Sequence, residues 1–259
     1  MTPLVLDGSS IGTLIASFLW PFFRLSALFA VMPVLGGAEV PIRVRVGLAV
    51  AITLLILPVI PPAPEVDALS FASLIITAQE LMIGIAMGLM INVIFNAVTL
   101  GGESVAITMG LGFALMNDPQ NGVSVPSVSQ FYLILATLLF LSLNGHHAAL
   151  ELVVSSFESL PVGVALGPDA MWQLASWGAI MFRGALSVAL PALAAMLTVN
   201  ILMGVMTRAA PQMNIFSVGF PLTMTVGFIA IGLTLPSFGE GFQALVVELF
   251  RVLRQLVGL

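Results

Sequence analysis

The side chains best suited to metal or acid–base chemistry in this sequence are its two histidines, and they are adjacent. His146 and His147 follow a turn dipeptide in "LSLNGHHAALELVV". Successive residues point to different sides of a helix, so the pair cannot give two ligands to one metal from a regular helical face. The chain has no cysteine to add a thiolate ligand. We therefore predict turn and helix-start roles here, with no metal, no cofactor and no catalytic residue.

A stripe of small and polar residues recurs every four positions in an apolar stretch, at Glu80, Gly84, Gly88, Asn92 and Asn96. This spacing drifts only slowly around a helix, so the residues share one face. The central "GIAMG" is a small-xxx-small pattern that lets helices approach closely in lipid. The stripe predicts a helix-packing or assembly contact in which the asparagines donate hydrogen bonds. The alternative is a face that lines a polar path.

Arg24 lies inside the apolar run "FLWPFFRLSALFAVMP". A cation in such a run is costly, and it normally pairs with a carboxylate or faces an aqueous cavity. The candidate partners are Glu80, Glu103 or a carboxylate of another chain. We predict a buried charge held in a structural ion pair.

A turn-rich stretch, "GFALMNDPQNGVSVPS" over 112–127, interrupts the apolar sequence. Its "DP" and "NG" dipeptides are turn signals, and Pro126 excludes a regular helix. Glycines at 101, 102 and 110 precede it and favour a sharp bend, while soft methionines adapt to irregular surfaces. One interpretation is a loop at the membrane edge, and the other is a movable apolar obstruction in a pore. The candidate gate residues are Met109, Gly110, Leu111, Gly112, Phe113, Leu115, Met116, Asn117, Asp118 and Pro119.

The composition is that of an integral membrane protein. Apolar residues make up 59% of the chain and charged residues 7%, whereas about a quarter of a soluble domain is charged. The net charge of −5 and the lack of a basic patch argue against nucleic acid as a partner. No polar block is long enough for a soluble domain, so we predict one membrane unit over 1–259.

Six apolar segments are candidates for membrane spans, each of which needs about 20 residues. They are 11–35, 42–60, 69–100, 128–143, 170–207 and 213–235, followed by an amphipathic tail over 242–257. Several prolines fall within these segments, and such breaks are tolerated only where protein or a water-filled cavity satisfies the freed backbone groups. We therefore expect broken helices and hairpins. Arginines after the first segment and near the end of the chain predict cytoplasmic turns there, with the N-terminus outside.

Four stretches together resemble one known family over essentially the whole chain. They are "NGHHAALELVVSSFESLPVG", "NDPQNG", "RAAPQMNIFSVGFPL" and "RLSALFAVMPVLGGAEVPIRVRVGLAVAITLLILP". The sequence is similar to the FliR/SctT export-gate family of type III secretion, and "APQMNIFSVGFPL" favours the flagellar branch. The resemblance implies an all-α integral membrane protein, whose broken helical hairpins assemble into a helical export-gate complex.

The resemblance also implies partners and a role. FliP-like and FliQ-like subunits would surround the chain, with FlhB-like and FlhA-like components, in the flagellar basal body of the bacterial inner membrane. Unfolded flagellar proteins would be the cargo. The segment matching 106–122 would project into the lumen as a plug, beside a methionine ring of the FliP-like subunits. The sequence departs from the family pattern at Thr108, where a glutamine usually precedes "MG", so the polar contacts of the stem do not carry over.

We predict that the chain is not an enzyme and that the energy for export comes from elsewhere, since no P-loop or other nucleotide motif is present. Two other functions stay open at this point. A secondary transporter fits the broken helices and intramembrane charges, although it predicts an internal repeat and the sequence contains no obvious one. A purely structural membrane scaffold is the second.

Overall fold

The fold is all-α in a computed structural model that describes residues 8–37, 39–66, 70–111, 127–210 and 219–259. These ranges contain helices and no strand, which confirms the predicted fold class. The helices are α1 (Gly8–Val31), α2 (Pro33–Gly36), α3 (Ile42–Ile56), α4 (Phe71–Thr108), α5 (Ser127–Ser142), α6 (Gly145–Ser159), α7 (Pro168–Ala209) and α8 (Phe220–Leu256).

Three of these helices, α4, α7 and α8, are long and apolar enough to cross a membrane. They contain 38, 42 and 37 residues. At about 1.5 Å per residue, each exceeds the hydrocarbon core of about 30 Å, so each tilts or extends beyond it. The consecutive helices α5 and α6 add a fourth span if they cross as one broken helix.

The long helices are less broken than the sequence predicts. Helix α7 runs without interruption through Pro191, and α8 joins the predicted span 213–235 to the predicted tail 242–257, with Pro236 inside it. A proline removes one backbone hydrogen bond and can kink a helix, but the remaining backbone groups still need intrahelical partners in an apolar surrounding. The break before Pro33 does occur, because Met32 is extended with ψ 130°.

The chain divides into two compact units that interleave along the sequence. The first comprises Met1–Asn92, Asn144–Trp177 and Glu248–Leu259, and the second comprises Val93–Leu143 and Gly178–Val247. The chain passes between the units within the continuous helices α4, α7 and α8 and in the turn between α5 and α6. The single membrane unit over 1–259 stays a prediction.

In the first unit, α1 and the first half of α4 contribute much of the core. Trp20, Leu25 and Leu28 of α1 are fully or almost fully buried. The indole nitrogen of Trp177 donates a hydrogen bond to the carbonyl oxygen of Met90 at 3.0 Å. That bond satisfies the one polar group of a buried tryptophan, so the first residues of α7 are held against α4.

In the second unit, aromatic rings from three helices form the core. Phe95 of α4 makes edge-to-face contacts with Phe140 of α5 and Phe242 of α8, with ring centroids 5.4 and 5.8 Å apart. The ring centroids of Tyr132 and Phe238 are 4.9 Å apart. Such pairs add stability beyond the area that they bury.

Gly101 and Gly102 do not bend the chain, contrary to the prediction from sequence, because α4 continues to Thr108. They allow close approach instead. A Cβ atom on Gly102 would lie 2.7 Å from the Cα atom of Ser129, and one on Gly101 would lie 3.0 Å from the carbonyl oxygen of Ala185. The glycine pair therefore brings α5 and α7 close to the backbone of α4.

Replacing Gly102 with alanine should lower the apparent unfolding temperature of the detergent-extracted protein, since backbone atoms of α5 must move. Overpacking of this kind costs about 1–3 kcal/mol. The matched control is Gly239→Ala in α8, where a Cβ atom has nothing within 4 Å. That change should raise stability by up to about 1 kcal/mol through helix propensity. Equal effects of the two substitutions would contradict the close approach.

Candidate functional site

The most completely buried polar site of the described chain is an ion pair between α1 and α4. Arg24 and Glu80 are both 0% exposed. The arginine Nε lies 2.7 Å from Oε2 of the glutamate, and Nη2 lies 3.1 Å from Oε1. Two parallel hydrogen bonds of this kind are the strongest arrangement available to a guanidinium and a carboxylate. Of the partners considered from sequence, Glu80 is the one that the structure places against Arg24.

The remaining donors of Arg24 are satisfied by α6 and by the turn that follows it. Nη1 donates to Ser156 Oγ at 3.0 Å, and Nη2 donates to the carbonyl oxygen of Leu160 at 2.9 Å. The guanidinium carbon also lies 3.9 Å from the centroid of the Phe157 ring, in cation–π contact. Each guanidinium nitrogen of Arg24 therefore has a hydrogen-bond partner, and the charge has a carboxylate beside it. A buried structural ion pair requires both.

Glu80 receives one further bond, from the backbone N–H of Gly163 at 3.4 Å. Gly163 has φ +92°, a left-handed conformation that glycine adopts without steric cost. The turn after α6 can therefore direct its amide at the carboxylate. Four parts of the first unit meet at this pair: α1, α4, α6 and the turn over 160–163.

The glycines of the stripe bring α4 onto the backbone of α1. A Cβ atom on Gly84 would overlap the carbonyl oxygen of Arg24, and one on Gly88 would lie 2.8 Å from the Cβ atom of Val31. One turn further, Asn92 Nδ2 donates to the carbonyl oxygen of Val31 at 3.1 Å. From Glu80 to Asn92 the stripe thus faces α1, whereas Asn96 is exposed and belongs to the second unit.

Only the first three of the candidate gate residues, Met109 to Leu111, lie in the described chain. Met109 is buried. Gly110 turns the chain with φ +87°, and a Cβ atom there would lie 2.8 Å from the ring of Phe220. The other candidates lie outside the described residues: Gly112, Phe113, Leu115, Met116, Asn117, Asp118 and Pro119.

Side chains of α7 and α8 bind the last carbonyl groups of α4. Asn200 Nδ2 donates to the carbonyl oxygen of Thr108 at 3.3 Å. Thr223 Oγ1 lies 3.3 Å from the carbonyl oxygen of Met109 and 3.0 Å from that of Phe220 in its own helix, so two acceptors share its one proton. The hydroxyl of Thr108, at the position where the resembled family has glutamine, donates to the carbonyl oxygen of Ser104. The end of α4, which leads into the candidate gate segment, therefore has polar contacts from other helices. The Thr108 hydroxyl makes its hydrogen bond within α4.

The two histidines begin α6 after Asn144, which has a left-handed backbone with φ 56°. The centroids of the His146 and His147 rings are 4.0 Å apart. The argument that successive residues point apart was therefore wrong for these rings, because side chains in the first turn of a helix can rotate toward one another. In the described ranges no three His, Asp or Glu side chains form a group that could hold a metal ion.

Several residues of these sites carry no recognisable signal in the sequence. Ser156, Phe157 and Leu160 are ordinary members of an amphipathic helix and its end, and only the fold brings them to Arg24. Gly227 is similar. A Cβ atom there would lie 2.5 Å from Cγ of Met109, yet its surroundings, "TMTVGFIAIG", read as part of a plain apolar span.

Long apolar helices, glycine-mediated contacts and a buried ion pair define a helix-packed integral membrane protein. Residues 15–249 match the family described as "Bacterial export proteins, family 1". The chain belongs to this family of bacterial export proteins, and the resemblance found in the sequence is confirmed.

Several relatives with the name "Flagellar biosynthetic protein FliR" match most of the chain. The chain is 37% identical to that of Escherichia coli (strain K12) over 241 residues, covering 93% of this chain and 92% of the relative. It is 37% identical over 244 residues to that of Pectobacterium carotovorum subsp. carotovorum, covering 94% and 93%. It is 32% identical over 230 residues to that of Bacillus subtilis (strain 168), covering 86% and 87%. The chain is thus a membrane-embedded component of flagellar protein export.

Replacing either member of the ion pair alone should destabilise the protein strongly. Arg24→Met or Glu80→Met leaves one buried charge without its partner, which costs about 3–5 kcal/mol. The double variant Arg24→Met/Glu80→Met removes both charges and should recover most of that loss. Unfolding temperature in detergent and the amount of protein in membranes measure the effect.

The control is Arg251→Met in α8. Arg251 forms an exposed pair with Glu248, with Nη2 and Oε1 3.5 Å apart, and such pairs contribute about 0–1 kcal/mol. A double variant as unstable as the two single losses added together would contradict the coupling of Arg24 and Glu80.

Proposed function

We propose that the chain is a subunit of the flagellar export gate in the bacterial inner membrane, where it forms part of the channel crossed by unfolded flagellar proteins. The observation that carries this proposal is the unequal burial of the long helices. In the most apolar stretch of α4, 61% of residues are buried inside the chain, against 22% in α7 and in α8. In two of the three long helices, most residues of the most apolar stretch are thus not buried by this chain itself.

Lipid alone is a poor match for all of that surface. Glu240 and Gln243 of α8 and Ser187 of α7 are among the exposed polar residues of these mostly apolar helices. Charged and amide groups at membrane depth are costly in hydrocarbon and usually face protein or water. Partner helices or a water-filled lumen would satisfy them. FliP-like and FliQ-like subunits are the proposed neighbours, with FlhB-like and FlhA-like components attached to the same assembly.

The segment from about residue 106 to 122 is the proposed closure of the channel. Its sequence combines glycines with the bulky apolar side chains of Phe113 and Met116, whereas Met109, at its start, is buried within the chain. A narrow apolar neck stops ions because water leaves it, and an ion entering it loses its hydration. The subunit would act by assembly and by closing a path, without a chemical reaction of its own.

Native mass spectrometry of the detergent-extracted protein tests the partners. We expect the chain to travel with several FliP-like and FliQ-like subunits when they are co-expressed, and to aggregate or degrade when expressed alone, since its exposed helices need protein cover. A monodisperse, thermally stable monomer in mild detergent would exclude obligate assembly.

Deletion of residues 112–116 tests the closure. The variant should assemble normally, raise membrane conductance and make cells sensitive to salts or small toxic solutes, because the apolar obstruction is removed. Asp118→Ala should loosen the adjoining turn and leak less. Normal assembly with conductance at the wild-type level would mean that the segment is only a connection.

A further inference from the structure

The charge of Arg24 lies near the middle of the apolar part of α1. Among the described helices, α4, α7 and α8 are long and apolar enough to cross a membrane, whereas α1 contributes a shorter apolar stretch, Ile15–Val31. Along the helix axis Arg24 is about 10–14 Å from either end of that stretch. An arginine near a helix end can extend its charge to the membrane surface. One in the middle is too far from both ends to do so.

Helix α1 has nothing of its own to balance this charge. Its sequence contains no carboxylate, and the guanidinium group of Arg24 is bound sideways by α4, α6 and the turn after α6. Those partners come 56 to 136 residues later in the chain. A central arginine cancels the favourable membrane insertion of roughly six leucine or phenylalanine residues. Taken alone, α1 is therefore a poor membrane segment.

The two members of the ion pair do not depend on each other equally. A carboxylate that loses its partner can bind a proton and become neutral, whereas arginine keeps its charge in any protein environment. Glu80 also lies in α4, which is long and apolar enough to cross a membrane by itself. Helix α4 can thus stay in the membrane without Arg24. Helix α1 has no such alternative to Glu80.

We infer that α4 holds α1 in the membrane through the Arg24–Glu80 pair, and that this dependence runs in one direction only. Ser156 and Leu160 complete the hydrogen bonding of Arg24, but they are neutral and cannot supply a counter-charge. The two helices are in backbone contact beside the pair, since a Cβ atom on Gly84 would overlap the carbonyl oxygen of Arg24. The dependence holds whether or not the chain lines a channel, so it goes beyond the proposed function.

A single engineered cysteine can report where α1 lies, because the chain has no cysteine of its own. Ser26→Cys places a thiol in α1 at a partly buried position close to Arg24. A hydrophilic maleimide reacts with the thiolate, which forms in water and not in hydrocarbon, so this thiol should be protected in the full-length protein. Adding Glu80→Gln should raise its labelling severalfold, because a neutral glutamine leaves Arg24 without a counter-charge and α1 leaves the membrane.

Loss of the other charge should not release α1. With Arg24→Leu the helix is apolar throughout this stretch, so the Ser26→Cys thiol should stay protected even though the protein unfolds at a lower temperature. The double variant Arg24→Leu/Glu80→Gln should restore the protection that Glu80→Gln removes. The matched control is Glu103→Gln, which removes a carboxylate from the same helix and should leave labelling unchanged. Labelling of newly made chains after a short pulse measures unstable variants before they are degraded.

The sign of the two single effects decides between retention and a merely structural role. A structural pair would loosen α1 alike whichever member is lost, so equal labelling after Arg24→Leu and Glu80→Gln would overturn the inference. Unchanged labelling after Glu80→Gln would overturn it too, as would increased labelling after Glu103→Gln. None of these outcomes depends on conductance or export, so they are distinguishable from a failure of the proposed function.

Discussion

The arginine in the first apolar helix constrains everything around it. A charge in a place without water must be paired and fully hydrogen-bonded, and Arg24 meets that requirement only where α1, α4 and α6 converge. Glu80 reaches it because Gly84 lets α4 lie against the carbonyl oxygen of Arg24 itself. The ion pair and the glycine stripe therefore depend on each other. The glycines permit the distance, and the charge pair fixes which faces meet and in which register.

The second unit solves the same problem of polar groups without water in a different way. Its core is aromatic and its close contacts depend on glycine, as where Gly184 faces Ala97 and Leu245. Backbone carbonyls at the end of α4 need partners; an amide of α7 donates to one, and a hydroxyl of α8, which also faces a carbonyl of its own helix, lies within reach of the next. Neutral hydrogen bonds of this kind contribute about 0.5–1.5 kcal/mol each. The end of α4 is thus held by contacts weaker than the buried ion pair.

Periodicity and composition were enough to predict the helical class, most helix positions and the face of α4 that meets α1. The four-residue spacing of the stripe and the cost of a lone Arg24 are local facts, so they can be read from the sequence.

The partners of Arg24 on α6 and in the turn after it could not be predicted, because nothing in the sequence around Ser156 and Leu160 indicates that the fold brings them to Arg24. The sequence did not predict that α7 and α8 continue through Pro191 and Pro236. A proline in the sequence shows that one backbone hydrogen bond is lost, but it does not show whether the neighbouring turns stay helical. The contact of Gly227 with Met109 joins positions 118 residues apart, beyond any local pattern.

The uneven burial of the helices links the folding of this chain to its assembly. Most residues in the most apolar stretch of α4 are buried within the chain, while few of those in the corresponding stretches of α7 and α8 are. A partner that binds only the folded chain adds to its stability by mass action. Stability would therefore come in two parts, one from the ion pair and the glycine contacts, the other from neighbouring subunits. In the proposed export gate, the contacts within this chain would hold its own helices together, while neighbouring subunits would hold the surrounding channel.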